Sequence, residues 1–139
     1  MDAKTFEPGF EVCLFRDLQK VNNPIKIGNK EFSLKRTFDL VLFSETLLII
    51  VEAKANQQFH KKQLESIHNE EINIKRFLSG IYDYKCPDVL LIALISEKYH
   101  PKDETKSQFA NHIIFWNEIA NYYPDSYEIF HNANDCYRK

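Results

Sequence analysis

The stretch FDLVLFSETLLIIVEAK, residues 38–54, decides the fold because it contains two apolar strands joined by a short polar break. Residues 38–43 continue an alternating pattern typical of a strand, and Ser44-Glu45-Thr46 interrupts it. Residues 47–51 form a continuous apolar run, which is typical of a strand buried on both faces. Charged residues nevertheless lie in or directly after these strands, namely Asp39, Glu52 and Lys54.

The register of the hairpin determines whether these charges meet. An antiparallel hairpin that turns at Glu45-Thr46 pairs Asp39 with Glu52, with Cβ atoms roughly 4.5–5.5 Å apart. A turn centred on Glu45 alone would move Asp39 to the opposite face of the sheet. Glu52 and Lys54 share a face because side chains alternate along a strand. The simplest register therefore brings two carboxylates and an ammonium group together.

Two ionised carboxylates at that distance repel, and partial burial adds a desolvation cost. A divalent cation offsets both effects best, and hard oxygen ligands suit Mg²⁺ or Mn²⁺. Lys54 offsets them in part and is placed to orient or deprotonate a water molecule held by the metal, an arrangement suited to phosphodiester hydrolysis. The alternative is a cross-strand salt bridge, which contributes about 0–1 kcal/mol when exposed. The hydrophobicity of residues 47–51 favours the metal site.

Length and composition predict one globular domain, residues 1–139. The formal net charge of −2 does not favour a nucleic-acid or membrane partner, although net charge says little about a local patch. The three cysteines lack metal-ligand spacing, which predicts reduced thiols and a cytoplasmic protein. The N-terminus does not resemble a secretory signal, and the longest apolar run is too short to cross a membrane.

The order of elements predicts an α/β fold. A helical stripe of Phe10, Leu14, Leu18 and Val21 predicts a first helix, with Pro8 in its first turn and an end at Asn22-Asn23-Pro24. The remaining segments are predicted as follows: β structure from Ile25 through the hairpin, one or two helices in residues 57–79, a strand at 89–95, a polar loop at 97–108, a strand at 113–115, a short helix at 116–123 and an amphipathic tail. We expect a mixed central sheet of about four to five strands flanked by helices.

Asp39, a hairpin and then Glu52-Ala53-Lys54 resemble the motif of the PD-(D/E)xK nuclease superfamily, which has the restriction-endonuclease-like fold. PGFEVCLFRDL, which contains Glu11, is similar to the helix before that motif, and QQFHKKQLESI, which contains Gln63, is similar to the helix after it. DVLLIALIS and HIIFWNEI resemble the later core strands, so the likeness covers residues 6–123. Phe38 stands where the name of the motif has proline.

The resemblance implies roles for individual residues. Asp39 and Glu52 would bind Mg²⁺ (or Mn²⁺) with the backbone carbonyl of Ala53, and Glu11 would complete the metal environment. Lys54 would assist the water nucleophile, and Gln63 would orient the lysine or a phosphate. The alternative for Glu11 is an acid favoured by the helix dipole, and for Gln63 a solvated helix residue.

The implied function is a metal-dependent nuclease that acts on DNA. Candidate phosphate contacts are Lys30, Lys35-Arg36, Lys61-Lys62 and Lys75-Arg76. The alternatives are a non-catalytic binding module that keeps the fold, or an RNA nuclease. A chain of this length has no obvious recognition domain, so a homodimer or a subunit of a larger complex is expected. Three glycines argue against an enzyme that cradles a nucleoside triphosphate in a glycine-rich loop.

Overall fold

A mixed five-stranded sheet flanked by helices forms the fold, as a computed structural model that describes residues 5–21, 37–79, 87–110 and 112–138 shows. This confirms the predicted α/β class, and the restriction-endonuclease-like topology stays a prediction. The strands are β1 (Glu7–Val12), β2 (Phe38–Phe43), β3 (Leu47–Ala53), β4 (Asp88–Ile95) and β5 (Ile113–Phe115). The helices are α1 (Leu14–Val21), α2 (Lys61–Ser79), α3 (Asp103–Gln108), α4 (Trp116–Tyr122) and α5 (Tyr127–Asp135), with a 3₁₀ turn at Pro124–Ser126.

The strands lie in the order β1-β2-β3-β4-β5, so each strand pairs with its neighbours in the chain. The pairs β1–β2 and β2–β3 are antiparallel, and β4–β5 is parallel. The amide of Asp88 donates to the carbonyl oxygen of Thr46 over 3.0 Å, and the amide of Lys54 donates to that of Leu94 over 2.8 Å. The first bond joins the starts of β3 and β4, and the second joins their ends. The two strands therefore run in the same direction.

The hairpin between β2 and β3 has the register that the sequence predicts. Leu40 lies opposite Val51, and Val41 lies opposite Ile50. Ser44 closes the turn, because its hydroxyl both donates to the carbonyl of Leu47 and accepts from its amide, each over 3.0 Å. The turn at Glu45-Thr46 is thereby confirmed.

The chain packs as two compact units, one formed by Met1–Val51 and Asn69–Leu90 and the other by Glu52–His68 and Leu91–Lys139. In the first unit the best buried side chains include Phe38, Ile74 and Phe77. Phe15 packs edge-on against Phe77 with ring centroids 5.2 Å apart. The burial of these large rings stabilises the unit, since each fully buried side chain contributes about 1.5–3 kcal/mol.

The second unit has its own buried cluster, in which aromatic rings dominate. Phe59 packs against Phe109 with ring centroids 5.1 Å apart, and Tyr99 stacks on Tyr137 at 5.5 Å. All four side chains are less than one tenth exposed. The prediction of a single domain over residues 1–139 stays a prediction.

The predicted first helix is wrong at its beginning. Residues Glu7–Val12 form the edge strand β1, and the helix starts only at Leu14. Phe10, the first member of the predicted helical stripe, is 74% exposed, so it belongs to no core. Pro8 is tolerated because an edge strand does not need every amide for pairing.

The predicted polar loop at residues 97–108 is also wrong in part. Residues Asp103–Gln108 form α3, whose first turn is acidic and whose Thr105 is buried. The predicted end of the first helix at Asn22-Asn23-Pro24 and the predicted β structure at residues 25–34 lie outside the described residues. Residues 57–79, predicted as one or two helices, contain the single helix α2, and the amphipathic tail contains α5.

Cys13 is buried and Cys136 is exposed, and neither forms a disulfide among the described residues, outside which Cys86 lies. Within residues 5–21, 37–79, 87–110 and 112–138, no helix is both long and apolar enough to span a membrane.

Gly9 provides a test of the β1–β2 packing. A Cβ atom at this position would lie 2.6 Å from Cγ2 of Val12 and 3.2 Å from a ring carbon of Phe43. Because valine is stiff, we expect Gly9→Ala to lower the free energy of unfolding by about 1–2 kcal/mol. Urea denaturation measures this, with Glu7→Ala in the same strand as the control. Equal stability of the two variants would contradict the packing.

Candidate functional site

The predicted site residues belong to both compact units. Glu11 and Asp39 lie in the first unit, on β1 and β2. Glu52, Lys54 and Gln63 belong to the second unit, where Glu52 is part of β3, Lys54 follows it directly and Gln63 lies in α2.

Glu11 lies in β1 and not in a helix, which corrects the expectation that it lies near the start of the first helix. In the β1–β2 ladder, Phe10 pairs with Leu40 and Val12 pairs with Phe38. Glu11 and Asp39 are the residues between these two pairs, and both side chains are exposed. Glu11 has a φ of 48°, a left-handed conformation that is uncommon for a residue with a Cβ atom. Two acidic side chains therefore lie near the same end of this strand pair.

The two carboxylates of the predicted pair have different environments. Glu52 is only 3% exposed, whereas Asp39 is exposed to solvent. Burial of an ionised carboxylate costs several kcal/mol unless a partner offsets it. The sequence identified both as charges in apolar strands, and only Glu52 is buried.

Lys54 is held by its backbone at the end of β3. Its amide donates to the carbonyl of Leu94 over 2.8 Å, and its carbonyl accepts a hydrogen bond of 3.0 Å from Nε1 of Trp116. Its ammonium group lies 5.8 Å from the ring centroid of Phe59, within range of a cation–π interaction. Both backbone polar groups of Lys54 are bonded, so its Cα position is fixed, and the residue as a whole is half-buried.

Gln63 lies in the first turn of α2 and is half-buried. Its backbone amide donates to the backbone carbonyl of His60 over 2.9 Å. Among the described residues no hydrogen bond joins its side chain to Lys54, so its predicted orienting role stays a prediction.

The candidate phosphate contacts differ in accessibility. Lys61 and Lys62 are exposed at the start of α2. Lys75 is engaged in an ion pair of 2.7 Å with Glu71. Lys30 and Lys35-Arg36 lie outside the described residues. Arg76 is also exposed, so Lys61, Lys62 and Arg76 are accessible candidates among the residues that the structure describes.

The described residues do not form a complete set of metal ligands by themselves. In the part of the chain that the structure describes, no three His, Cys, Asp or Glu side chains are grouped so as to hold a metal ion. Any cation held by the predicted carboxylates must therefore take its remaining ligands from elsewhere.

Two residues around Lys54 were not singled out for it by the sequence. Phe59 and Trp116 contact it from positions five and 62 residues along the chain. The position of Phe59 shortly after the motif, in QQFH, is the only sequence signal that could have indicated it. The contact of Trp116 depends on tertiary structure.

No protein-family model matches the chain, and neither the curated proteins nor the solved structures that were compared with it include a match. The resemblance to the PD-(D/E)xK nucleases therefore rests on the sequence motif and stays a prediction.

The indole of Trp116 tests how Lys54 is anchored. Trp116→Phe keeps a ring but removes the donor to the carbonyl of Lys54. We expect a loss of about 1–2 kcal/mol in the free energy of unfolding, because a part-buried acceptor loses its partner. Urea denaturation measures the loss, and Tyr122→Phe, at a ring that is 81% exposed, is the control. A variant as stable as the wild type would show that the bond does not anchor the strand end.

Proposed function

We propose that the protein is a nuclease that hydrolyses phosphodiester bonds in DNA with Mg²⁺ or Mn²⁺ as cofactor. The observation that carries the proposal is the register of the β2–β3 hairpin, in which Leu40 lies opposite Val51. Asp39 directly precedes Leu40 and Glu52 directly follows Val51 in the chain, and the motif predicts that these two carboxylates and Lys54 share a face. A slip of one residue would have removed this arrangement, so the register supports the motif.

The donor set fits a magnesium ion that is shared between protein and substrate. Mg²⁺ is usually held by one or two carboxylates, and substrate phosphates and waters complete its shell. Asp39 and Glu52 supply the two carboxylates of such a site. A site of this kind does not require a third protein carboxylate. When bound, the metal would activate a water molecule and stabilise charge on the phosphate.

Lys54 would act on the phosphate and the attacking water. Its fixed backbone limits the positions that its ammonium group can reach, which lowers the entropic cost of orienting that group. An ammonium group stabilises the negative charge that develops on phosphate oxygens in the transition state. Lys61 and Lys62 would add contacts to the nucleic-acid backbone, and their small number together with the net charge of −2 implies modest affinity for DNA.

The metal site is tested by calorimetric titration of Mn²⁺ into the wild type and into Asp39→Asn. We expect saturable binding to the wild type and its loss in the variant, because the change removes an anionic ligand at nearly constant volume. Asp88→Asn is the matched control, since Asp88 is also an exposed strand carboxylate in the first unit. Equal loss in both variants would show that the binding is non-specific.

Some sites of this kind fill only when phosphate is present, so the titration is repeated with a non-cleavable phosphorothioate DNA duplex. Failure of the wild type to bind Mn²⁺ under both conditions would contradict the nuclease proposal and favour a non-catalytic binding module.

Cleavage tests the role of Lys54. We expect Lys54→Gln to bind Mn²⁺ as the wild type does and to cleave DNA about 10²–10³-fold more slowly, because a charge that stabilises the transition state is lost. Lys106→Gln, at a partly exposed lysine on α3, is the control. Single-stranded DNA, duplex DNA and RNA are assayed in parallel. Cleavage of RNA alone would replace DNA by RNA as the substrate, and unchanged cleavage by Lys54→Gln would refute its role.

A further inference from the structure

A pocket of about 530 Å³ lies within the second unit, between the start of α2 and the segment that joins β4 to α3. Its size falls in the range of roughly 300–1,000 Å³ typical of small-molecule sites. Its lining includes none of the residues predicted for metal binding or catalysis. The pocket is therefore a second candidate site, and its ligand can be inferred from its own chemistry.

Positive charge dominates the polar part of the lining. Lys61, Lys98 and Lys102 contribute three ammonium groups, and Glu104 contributes the one carboxylate. His100 adds an imidazole ring. Such a lining favours a ligand with more than one negative charge.

The three lysines differ in whether an acidic side chain already pairs with them. Lys98 donates to Asp135 at 2.8 Å, a bond that holds the pKa of the Asp135 carboxyl below its ordinary value. Lys61 lies 4.0 Å from Glu65, and both are well exposed. Among the described residues Lys102 forms no ion pair, so its charge is the most available to a ligand.

The start of α2 strengthens the preference for an anion. Lys61 and Leu64 belong to the first turn of this helix and both line the pocket. That turn contains no acidic residue, so its positive dipole end is not neutralised locally. The lysines and the helix end thus favour the same sign of charge.

The apolar part of the pocket lining is aromatic. Phe59, Tyr99 and Tyr137 line the pocket and pack on one another, with Phe59 and Tyr99 centroids 6.4 Å apart. Gln58 donates from Nε2 to the hydroxyl of Tyr137 over 2.7 Å, which holds this wall together. Each of these rings is less than one tenth exposed, so each presents only a small part of its surface to the pocket, and the buried Thr105 and the amide of Gln58 add polar groups for hydrogen bonding.

We propose that this pocket binds a nucleoside monophosphate, with the phosphate near Lys102 and the start of α2 and the base against the aromatic wall. A nucleotide combines the two properties that the lining selects, a doubly charged phosphate and a flat ring with polar edges. Side chains and a helix end provide the binding here, so no glycine-rich loop is required. The inference does not depend on the proposed nuclease activity.

The test is calorimetric titration of dAMP into the full chain with EDTA present, so that the predicted metal site plays no part. We expect saturable binding that Lys102→Gln weakens about tenfold, the loss of one charge-assisted hydrogen bond. Lys106→Gln, which lies on α3 outside the pocket, should change the affinity by less than about twofold. Deoxyadenosine and inorganic phosphate, titrated separately, should each bind at least about tenfold more weakly than dAMP.

Three results would overturn the inference: no saturable binding of dAMP, phosphate that binds as tightly as dAMP, or equal weakening by both lysine variants. Competition of dAMP with a single-stranded DNA oligonucleotide then identifies the source of the nucleotide. Displacement of dAMP by the oligonucleotide assigns the pocket to one nucleotide of a strand, and lack of displacement assigns it to a free nucleotide. Because the assay contains no metal and measures no cleavage, its failure is distinguishable from failure of the nuclease proposal.

Discussion

The register of the β2–β3 hairpin is the constraint on which the candidate chemistry depends. Val41 and Ile50 lie opposite each other and are both fully buried. A slip of one residue would turn either side chain toward the opposite face of the sheet, at a cost of about 1.5–3 kcal/mol for each side chain exposed. The apolar residues therefore fix the pairing, and the pairing then determines which face each charged residue occupies. Hydrophobic burial thus sets the geometry of polar groups that contribute little to stability themselves.

The position of Lys54 follows from the parallel strands that come after the hairpin. β4 supplies the carbonyl of Leu94 that receives the Lys54 amide. β5 pairs with β4 and runs directly into α4, whose first residue is Trp116. The indole then bonds to the carbonyl of Lys54. A carbonyl of β4 and an indole at the start of α4 therefore fix the backbone of Lys54. Such a position is more reproducible than one on a loop.

The parts of the fold that the sequence predicted are those with strong local periodicity. The hairpin, α2 and β5 follow from alternating, helical or continuous apolar patterns. β1 was missed because its apolar residues share the spacing of the helix that follows, and only pairing with β2 makes it a strand. The left-handed backbone of Glu11 has no signal in its residue type. The difference in burial between Asp39 and Glu52 was equally unreadable, because tertiary packing determines burial.

The site residues likewise divide into those that a local motif predicts and those that only the tertiary structure brings together. The motif from Asp39 to Lys54 lies within one β-hairpin and the residue after it, so spacing alone could indicate it. The aromatic wall of the pocket joins Gln58 to Tyr137, which are 79 residues apart. No period or motif relates such positions, and the tail that carries Tyr137 gave only an amphipathic pattern.

One ring of the second unit, Phe59, lies near Lys54 and also lines the pocket. Its centroid lies 5.8 Å from the ammonium group of Lys54. Its other contacts, with Phe109 and Tyr99, hold it in the buried cluster and leave it little freedom to move. A ligand that packs on Phe59 in the pocket would therefore contact the same fixed ring that lies beside the ammonium group of Lys54.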